Sequence, residues 1–500
     1  QEPVRQNSAV QDRLRARARP AVAVAASLAL LSGIAACGGG GGTDTPGPDA
    51  GKVTSTPDLG LAITPAAYGD PYSGALDAAA QAPAVAQLLA RGIATADKLS
   101  GDLGTPAAEL ASDLTALLST HVYAVGTAVS TTFSTERHSK QADAAWAAVD
   151  ANSKSLIKLV ESLQAEADGT GKGGRGNARV VDPNPGPQAT SKPTSKPTSP
   201  PPNPAGAKDT TSPSPSASPT ATEPPFDLDE YDFGKAWREH VDLLTDYALA
   251  ARGNNTTDER TARRELDTWR LQAGQYFREI THGRISSSAV RSDLGRYLDA
   301  ITEAIDGIAD KEGESFVSLR EAADQMPEIT QRLAAGLAVA TDREGSVYDK
   351  SAELRNNLTA TLTGHSYLTV MAFQVAFAQP GKQGLVSAQY RRVQVSLDDN
   401  SKQIAEQVKD VGGPFKEAEF LQGWRIHLRD LENYARALQA GDLAGRRTAA
   451  EALNTYLDTV STFFRTLTGG AIDADNADKK LRAQLAAMIG VVDALQVAFP

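Results

Sequence analysis

The stretch Trp237-Arg238-Glu239-His240, running on to Leu244 and Tyr247-Ala248, occurs again as Trp424-Arg425-Ile426-His427, running on to Leu431 and Tyr434-Ala435. Adding 187 to the first set of numbers gives the second. The same shift carries Leu266 to Leu453, Phe277 to Phe464, Arg278 to Arg465, Thr281 to Thr468, Gly283 to Gly470, Leu294 to Leu481 and Asp306 to Asp493. Unrelated amphipathic helices share an apolar period. They do not share Trp, Arg, His, Tyr and Gly at one constant offset.

An earlier stretch is copied too. Leu114-Thr115-Ala116, His121, Tyr123 and Phe133 shift by 244 to Leu358-Thr359-Ala360, His365, Tyr367 and Phe377. After a four-residue insertion, Asp150, Asn152, Ser153 and Lys154 match Asp398, Asn400, Ser401 and Lys402. The sequence therefore divides into repeat A (73–167 and 226–325) and repeat B (326–412 and 413–500). Within repeat A, Leu114, Leu117, Leu118, His121, Val125 and Phe133 recur at helical steps, and a second helix is expected over 138–166 with Trp146, Val149, Leu156, Leu159 and Leu163 inside. Turn-like sites at Gly253-Asn254-Asn255 and Gly412-Gly413-Pro414 punctuate the later helices. No stretch alternates at period two for long. The expected fold is all-α: two tandem duplicated helical bundles built from four half-units, each too small to bury its own apolar stripe.

Repeat A is interrupted by residues 168–225, which include SKPTSKPTSPPP and SPSPSASPTATEPP. Such Pro/Ser/Thr-rich sequence favours extended, solvated backbone and is expected to be disordered. A long loop adds little closure entropy, so the halves of repeat A can still meet across it.

Residues 1–36 carry Arg13, Arg15, Arg17 and Arg19, then the uncharged run AVAVAASLALLSGIAA. A basic region followed by an apolar run shorter than the roughly twenty residues of a membrane span has the form of a signal peptide. It ends in Ile34-Ala35-Ala36-Cys37, and the Gly/Pro/Ser/Thr-rich residues 38–72 read as a flexible tether. The chain opens on Gln1 rather than Met, so the translation start is expected to lie elsewhere.

The segment up to Cys37 resembles the bacterial lipobox. That resemblance implies a bacterial lipoprotein whose cysteine carries a lipid anchor (diacylglycerol with palmitate), held at the outer, extracytoplasmic face of the cell membrane. The helical body resembles a group of small uncharacterised bacterial helical-bundle proteins. Their helices open with Trp-x-x-His, matched here by Trp237 and His240, and carry Leu-x-x-Leu-Leu-x-x-His, matched by Leu114, Leu117, Leu118 and His121. Repeat B departs from the second motif, with Thr361 before Leu362. This resemblance implies a bundle and carries no activity with it.

Composition narrows the function. A net charge of −11 argues against nucleic acid, which needs a basic face. Cys37 is the only cysteine, so neither an internal disulfide nor a thiolate metal cluster can form. Only three methionines are present, which disfavours a Met-rich copper carrier. The paired Glu-x-x-His motifs of di-iron bundles, the His-Glu-x-x-His zinc helix, a nucleophile elbow and a phosphate loop are absent, so no catalytic residue is assigned.

The candidate site residues are those in register. His121, His240, His365 and His427 are expected to point inward, with His121 facing His240 and His365 facing His427, as candidate metal ligands. The competing expectation is that they are core histidines hydrogen-bonded across the bundle. Arg238, Arg425, Tyr247 and Tyr434 are candidates for ligand binding or for structural pairs. His138 and His282 have no counterparts and are expected at the surface.

The expected function is a membrane-anchored, non-enzymatic binding or interaction protein with an envelope protein or glycan partner. The alternative is a metal- or haem-binding bundle protein. No cofactor is assigned beyond a candidate metal ion. Deleting residues 176–222 is expected to leave helix content and thermal midpoint nearly unchanged by circular dichroism; a large loss of helix signal would make the segment structural.

Overall fold

The computed structural model describes residues 63–135, 139–170, 226–310, 315–379 and 384–500. The signal-peptide region, Cys37, most of both proposed linkers and His138 lie outside the described residues. Among the described residues every long element is an α-helix: α1 Pro71–Ala80, α2 Ala82–Asp97, α3 Pro106–Ser134, α4 Lys140–Thr170, α5 Phe233–Arg252, α6 Thr256–Ile280, α7 Ser287–Ala309, α8 Ser315–Asp324, α9 Met326–Ala340, α10 Lys350–Phe377, α11 Ala388–Ala440, α12 Leu443–Leu467 and α13 Ala474–Ala498. The fold is all-α.

Local chemistry sets the boundaries. Asp70, Thr105, Asp232, Asn255, Ser286, Ser387, Asp442 and Asp473 each cap a helix by accepting a backbone N–H of its first turn. The Gly253-Asn254-Asn255 site ends α5 and caps α6. Pro83 and Pro327 lack the N–H that would continue the preceding helix, and the chain breaks at Gln81 and Gln325. His282 is exposed in the left-handed region at φ 50°, followed by Gly283 at 75°, where repeat B has Gly469 and Gly470 at 60° and 90°.

The Gly412-Gly413-Pro414 turn is a kink inside α11 rather than a helix end. Gly413 takes φ 72° and ψ −179°, and helix resumes at once on either side. In repeat B, then, the counterparts of α4 and α5 form one bent helix. In repeat A the chain leaves α4 at Thr170 and re-enters helix at Phe233. α13 is the single described helix long and apolar enough to cross a membrane, and it packs within this helical body, chiefly on α1.

The repeats written in the sequence are not the lobes that pack. The α1–α2 segment belongs to repeat A by sequence, yet α1 packs on α13 and α2 lies along α10. Conversely α8–α9, which matches α1–α2 at the offset of 244 although the 226–325 bound puts α8 in repeat A, packs on α7 and α3. Lobe A is therefore α3–α7 with α8–α9, and lobe B is α10–α13 with α1–α2. The physical reason shows in α3: it is buried all round from Leu118 to Thr132, not along one stripe as its period suggests. Its counterpart α10 is buried all round from Leu362 to Phe377. These two helices pack on each other, with Tyr123 and Tyr367 stacked at 5.8 Å, and the exchanged segments cover the faces left open.

The exchanged contacts match closely. A Cβ on Gly92 of α2 would lie 2.0 Å from Ile472 Cγ1, and one on Gly336 of α9 would lie 2.1 Å from Ile285 Cγ1. Both helices pass their partner loops at glycine because nothing larger fits. Gly336→Val and Gly92→Val are each expected to destabilise the fold by about 1–3 kcal/mol through overpacking, read from urea unfolding. Unchanged midpoints in both would show that these crossings are looser in solution.

Candidate functional site

The four duplicated histidines converge in two pairs, one in each lobe. α3 supplies His121 and α5 supplies His240; α10 supplies His365 and α11 supplies His427. All four are buried, at 4% exposure or less. The imidazole centroids lie 5.2 Å apart in lobe A and 5.3 Å apart in lobe B. Trp237 and Trp424 cover the pairs, 4.9 Å from His121 and 4.8 Å from His365.

The two centres differ in what lies between the rings. In lobe A the Tyr297 hydroxyl stands 3.1 Å from His121 Nε2 and 3.3 Å from His240 Nε2. A hydroxyl donates once, so one imidazole can receive the tyrosine proton while the other donates to its oxygen. In lobe B the two Nε2 atoms face each other directly at 3.3 Å, a long contact in which one N–H points at the other lone pair. The residue 187 after Tyr297 is Gln484, and its Nε2 donates to Ser366 Oγ at 3.1 Å. The stacking partner changes as well: Trp269 lies 4.1 Å from His240, and its counterpart Tyr456 lies 4.8 Å from His427.

None of the four Nδ1 atoms has a hydrogen-bond partner. Burial pushes His121 and His365 down to about 3. Burial, reinforced by the neighbouring imidazole, holds His240 and His427 well below the usual histidine range. The carbonyls of Trp237 and Trp424, one turn back, oppose part of this without reaching hydrogen-bond geometry. Each centre is thus a pair of neutral imidazoles in an aromatic shell. A cavity of about 30 Å³ adjoins the lobe A pair, lined by His121, Trp237, Trp269, Tyr297, Leu114 and Met326 among others. Among the described residues no group of three His, Cys, Asp or Glu side chains is placed to hold a metal.

The other candidate residues form structural pairs. Tyr247 donates to Asp306 and Tyr434 to Asp493, each at 2.9 Å, tying the helix that carries the second histidine to α7 or α13. Burial raises both carboxyls above the ordinary range, and the tyrosine bonds oppose that rise. Lobe B adds Arg446, which donates to the Tyr434 hydroxyl at 2.7 Å and to Asp493 at 3.1 Å. Arg425 makes a two-pronged pair with Asp398 at 2.7 and 3.0 Å, whereas Arg238 is exposed and the matching Asp150 pairs with Lys154. Asn152 and Asn400 cross-link their helices by donating to the Leu117 and Thr361 carbonyls.

Tyr297, Trp269 and Tyr456 were not legible as site residues, because comparing the copies for identity passes over positions where they differ. The lobe interface was also hidden. There Thr115 donates to Asn356 at 2.5 Å and meets Thr330, Asn356 donates to the Pro327 carbonyl at 3.0 Å, and Ser112 meets Thr359 at 2.9 Å.

The depressed histidines fix a pH dependence. Their folded values lie below the unfolded value of about 6.5, so the stability they contribute is complete above that pH and is lost as pH falls towards 3. Each buried histidine contributes up to about 1.4 kcal/mol per pH unit in that window. Replacing His240 and His427 by Gln is expected to make stability fall less steeply between pH 6.5 and 4.5 than in the parent chain. Parallel urea-stability profiles would show that these imidazoles titrate normally in the folded state. The raised aspartates bend both profiles alike and cancel in the difference.

No protein family, curated protein or solved structure matches the chain.

Proposed function

We propose that this chain is a membrane-anchored, extracytoplasmic lipoprotein of a non-enzymatic, binding kind, displayed on a tether through a lipid on Cys37. The observation that carries the reading is the order of basic residues, an uncharged apolar run and Ile34-Ala35-Ala36-Cys37 directly before a Gly-rich stretch. One acyl chain binds a membrane marginally, whereas the two or three of a lipoprotein anchor it stably. The acidic composition gives no electrostatic attraction to an anionic bilayer, so the lipid carries the attachment. A protein or glycan of the envelope is the partner such a displayed body would meet.

A second reading, binding of a metal ion by the duplicated histidines, is favoured by the 3.3 Å approach of His365 Nε2 to His427 Nε2. Burial disfavours the protonated form of both rings, so each neutral imidazole keeps one nitrogen lone pair. A haem finds less support than an ion. The cavity at the lobe A pair is about 30 Å³, against the several hundred Å³ typical of small-molecule sites.

The anchor is tested by Cys37→Ser, which should release the protein from membranes or leave uncleaved precursor, and should remove incorporation of labelled palmitate. Unchanged fractionation with unchanged labelling would defeat the proposal.

A further inference from the structure

We infer that the two histidine centres are not equivalent: the lobe B pair, His365 and His427, is open to a metal ion of the monovalent copper(I) or silver(I) class, and the lobe A pair is closed by Tyr297. The inference rests on the metal-binding reading and adds which centre binds and what charge the ion carries.

The first argument is spacing. An ion at about 2.0–2.1 Å from each nitrogen, the bond length of imidazole to a first-row metal, subtends about 105–110° across a 3.3 Å gap. A linear arrangement at the same bond length needs a gap of about 4 Å, so the two nitrogens would have to part by about 0.7 Å. In lobe A the space equidistant from the two Nε2 atoms is already taken by a hydroxyl in contact with both. Lobe B has no tyrosine there, because Gln484 replaces it and turns its amide to Ser366.

The second argument is charge. An imidazole that ligates a metal is itself neutral, both rings are buried, and no third His, Cys, Asp or Glu among the described residues joins them. A divalent ion would bring two uncompensated charges into a site that excludes water. The solvation penalty grows with the square of the charge, so it is about four times that of a monovalent ion of similar size. Imidazole nitrogen suits copper, and closed-shell monovalent ions are content with two ligands. Zinc completes a tetrahedron, for which these residues offer only two corners.

The test uses the full chain carrying Cys37→Ser, which removes the one thiol, titrated with silver(I) nitrate and, separately, zinc(II), in chloride-free buffer, with retained metal measured by mass spectrometry after desalting. One equivalent of silver is expected. Its affinity should fall by about tenfold or more in His365→Gln and in Gln484→Tyr, and stay unchanged in His240→Gln. Gln484→Tyr guards against misfolding, since lobe A already accommodates tyrosine at that position, and helix content is checked for every variant. Tyr297→Gln should raise the stoichiometry to two. No retained silver, or binding indifferent to His365→Gln, would overturn the metal reading and this inference together. Two equivalents in the parent chain, one of them lost in His240→Gln, would keep the metal reading and overturn the asymmetry. Zinc bound as tightly as silver at His365 would overturn the assignment of ion charge.

Discussion

The architecture depends on a pair of helices, α3 and α10, buried along their middle turns on every side. A helix in that position cannot expose polar groups to water, yet α3 and α10 carry many Ser and Thr side chains. Many of these hydroxyls bond within their own helix, although Ser119, Ser351 and Thr363 are buried without a partner. Thr127, Thr131 and Thr132 donate to the carbonyls of Tyr123, Thr127 and Ala128, and Thr369 donates to that of His365. Back-bonding of this kind removes the desolvation penalty while keeping the side chains small, so backbones approach closely. Tyr123 and Tyr367, equivalent residues 244 apart, stack on each other, so like positions of the two copies meet at the centre.

Burying this pair all round requires more surface than each lobe's own later helices provide. The exchanged segments supply it. Because α2 lies along α10 and α9 along α3, each lobe is completed by residues from the other end of the sequence repeat. Gly92 and Gly336 show how tight that completion is. The exchange also ties the lobes together by chain connectivity, and the Thr115, Asn356 and Thr330 contacts join them by hydrogen bonds.

The histidine centres sit where each central helix meets the helix opened by the duplicated Trp-x-x-His. Rigid helices on both sides fix the imidazole separation, and the aromatic shell excludes water, keeping both rings neutral. Two substitutions between the copies, Tyr297 against Gln484 and Trp269 against Tyr456, leave this frame unchanged and alter what stands between and beside the rings. The same scaffold therefore presents one hydroxyl-bridged pair and one direct pair.

The sequence alone determined the all-α class, the turn at Gly253-Asn254-Asn255, the recurrence of residues at constant offsets, and the inward orientation of four histidines. Each is a local or periodic property, readable from spacing along one helix or from a constant offset between two copies. It also placed Arg425, Tyr247 and Tyr434 at recurring positions, though their partners Asp398, Asp306 and Asp493 emerged only in space. Tertiary structure decided which segments pack into which lobe, because that depends on contacts between distant residues such as Gly92 with Ile472 and Gly336 with Ile285. It also decided that Gly413 bends a helix without ending it, since the neighbouring helices hold both arms in place. Finally, it decided that Tyr297 enters one histidine pair while the other stays direct. That depends on where α7 and α13 lie against α3 and α10, a relation between distant residues that no spacing along the chain records.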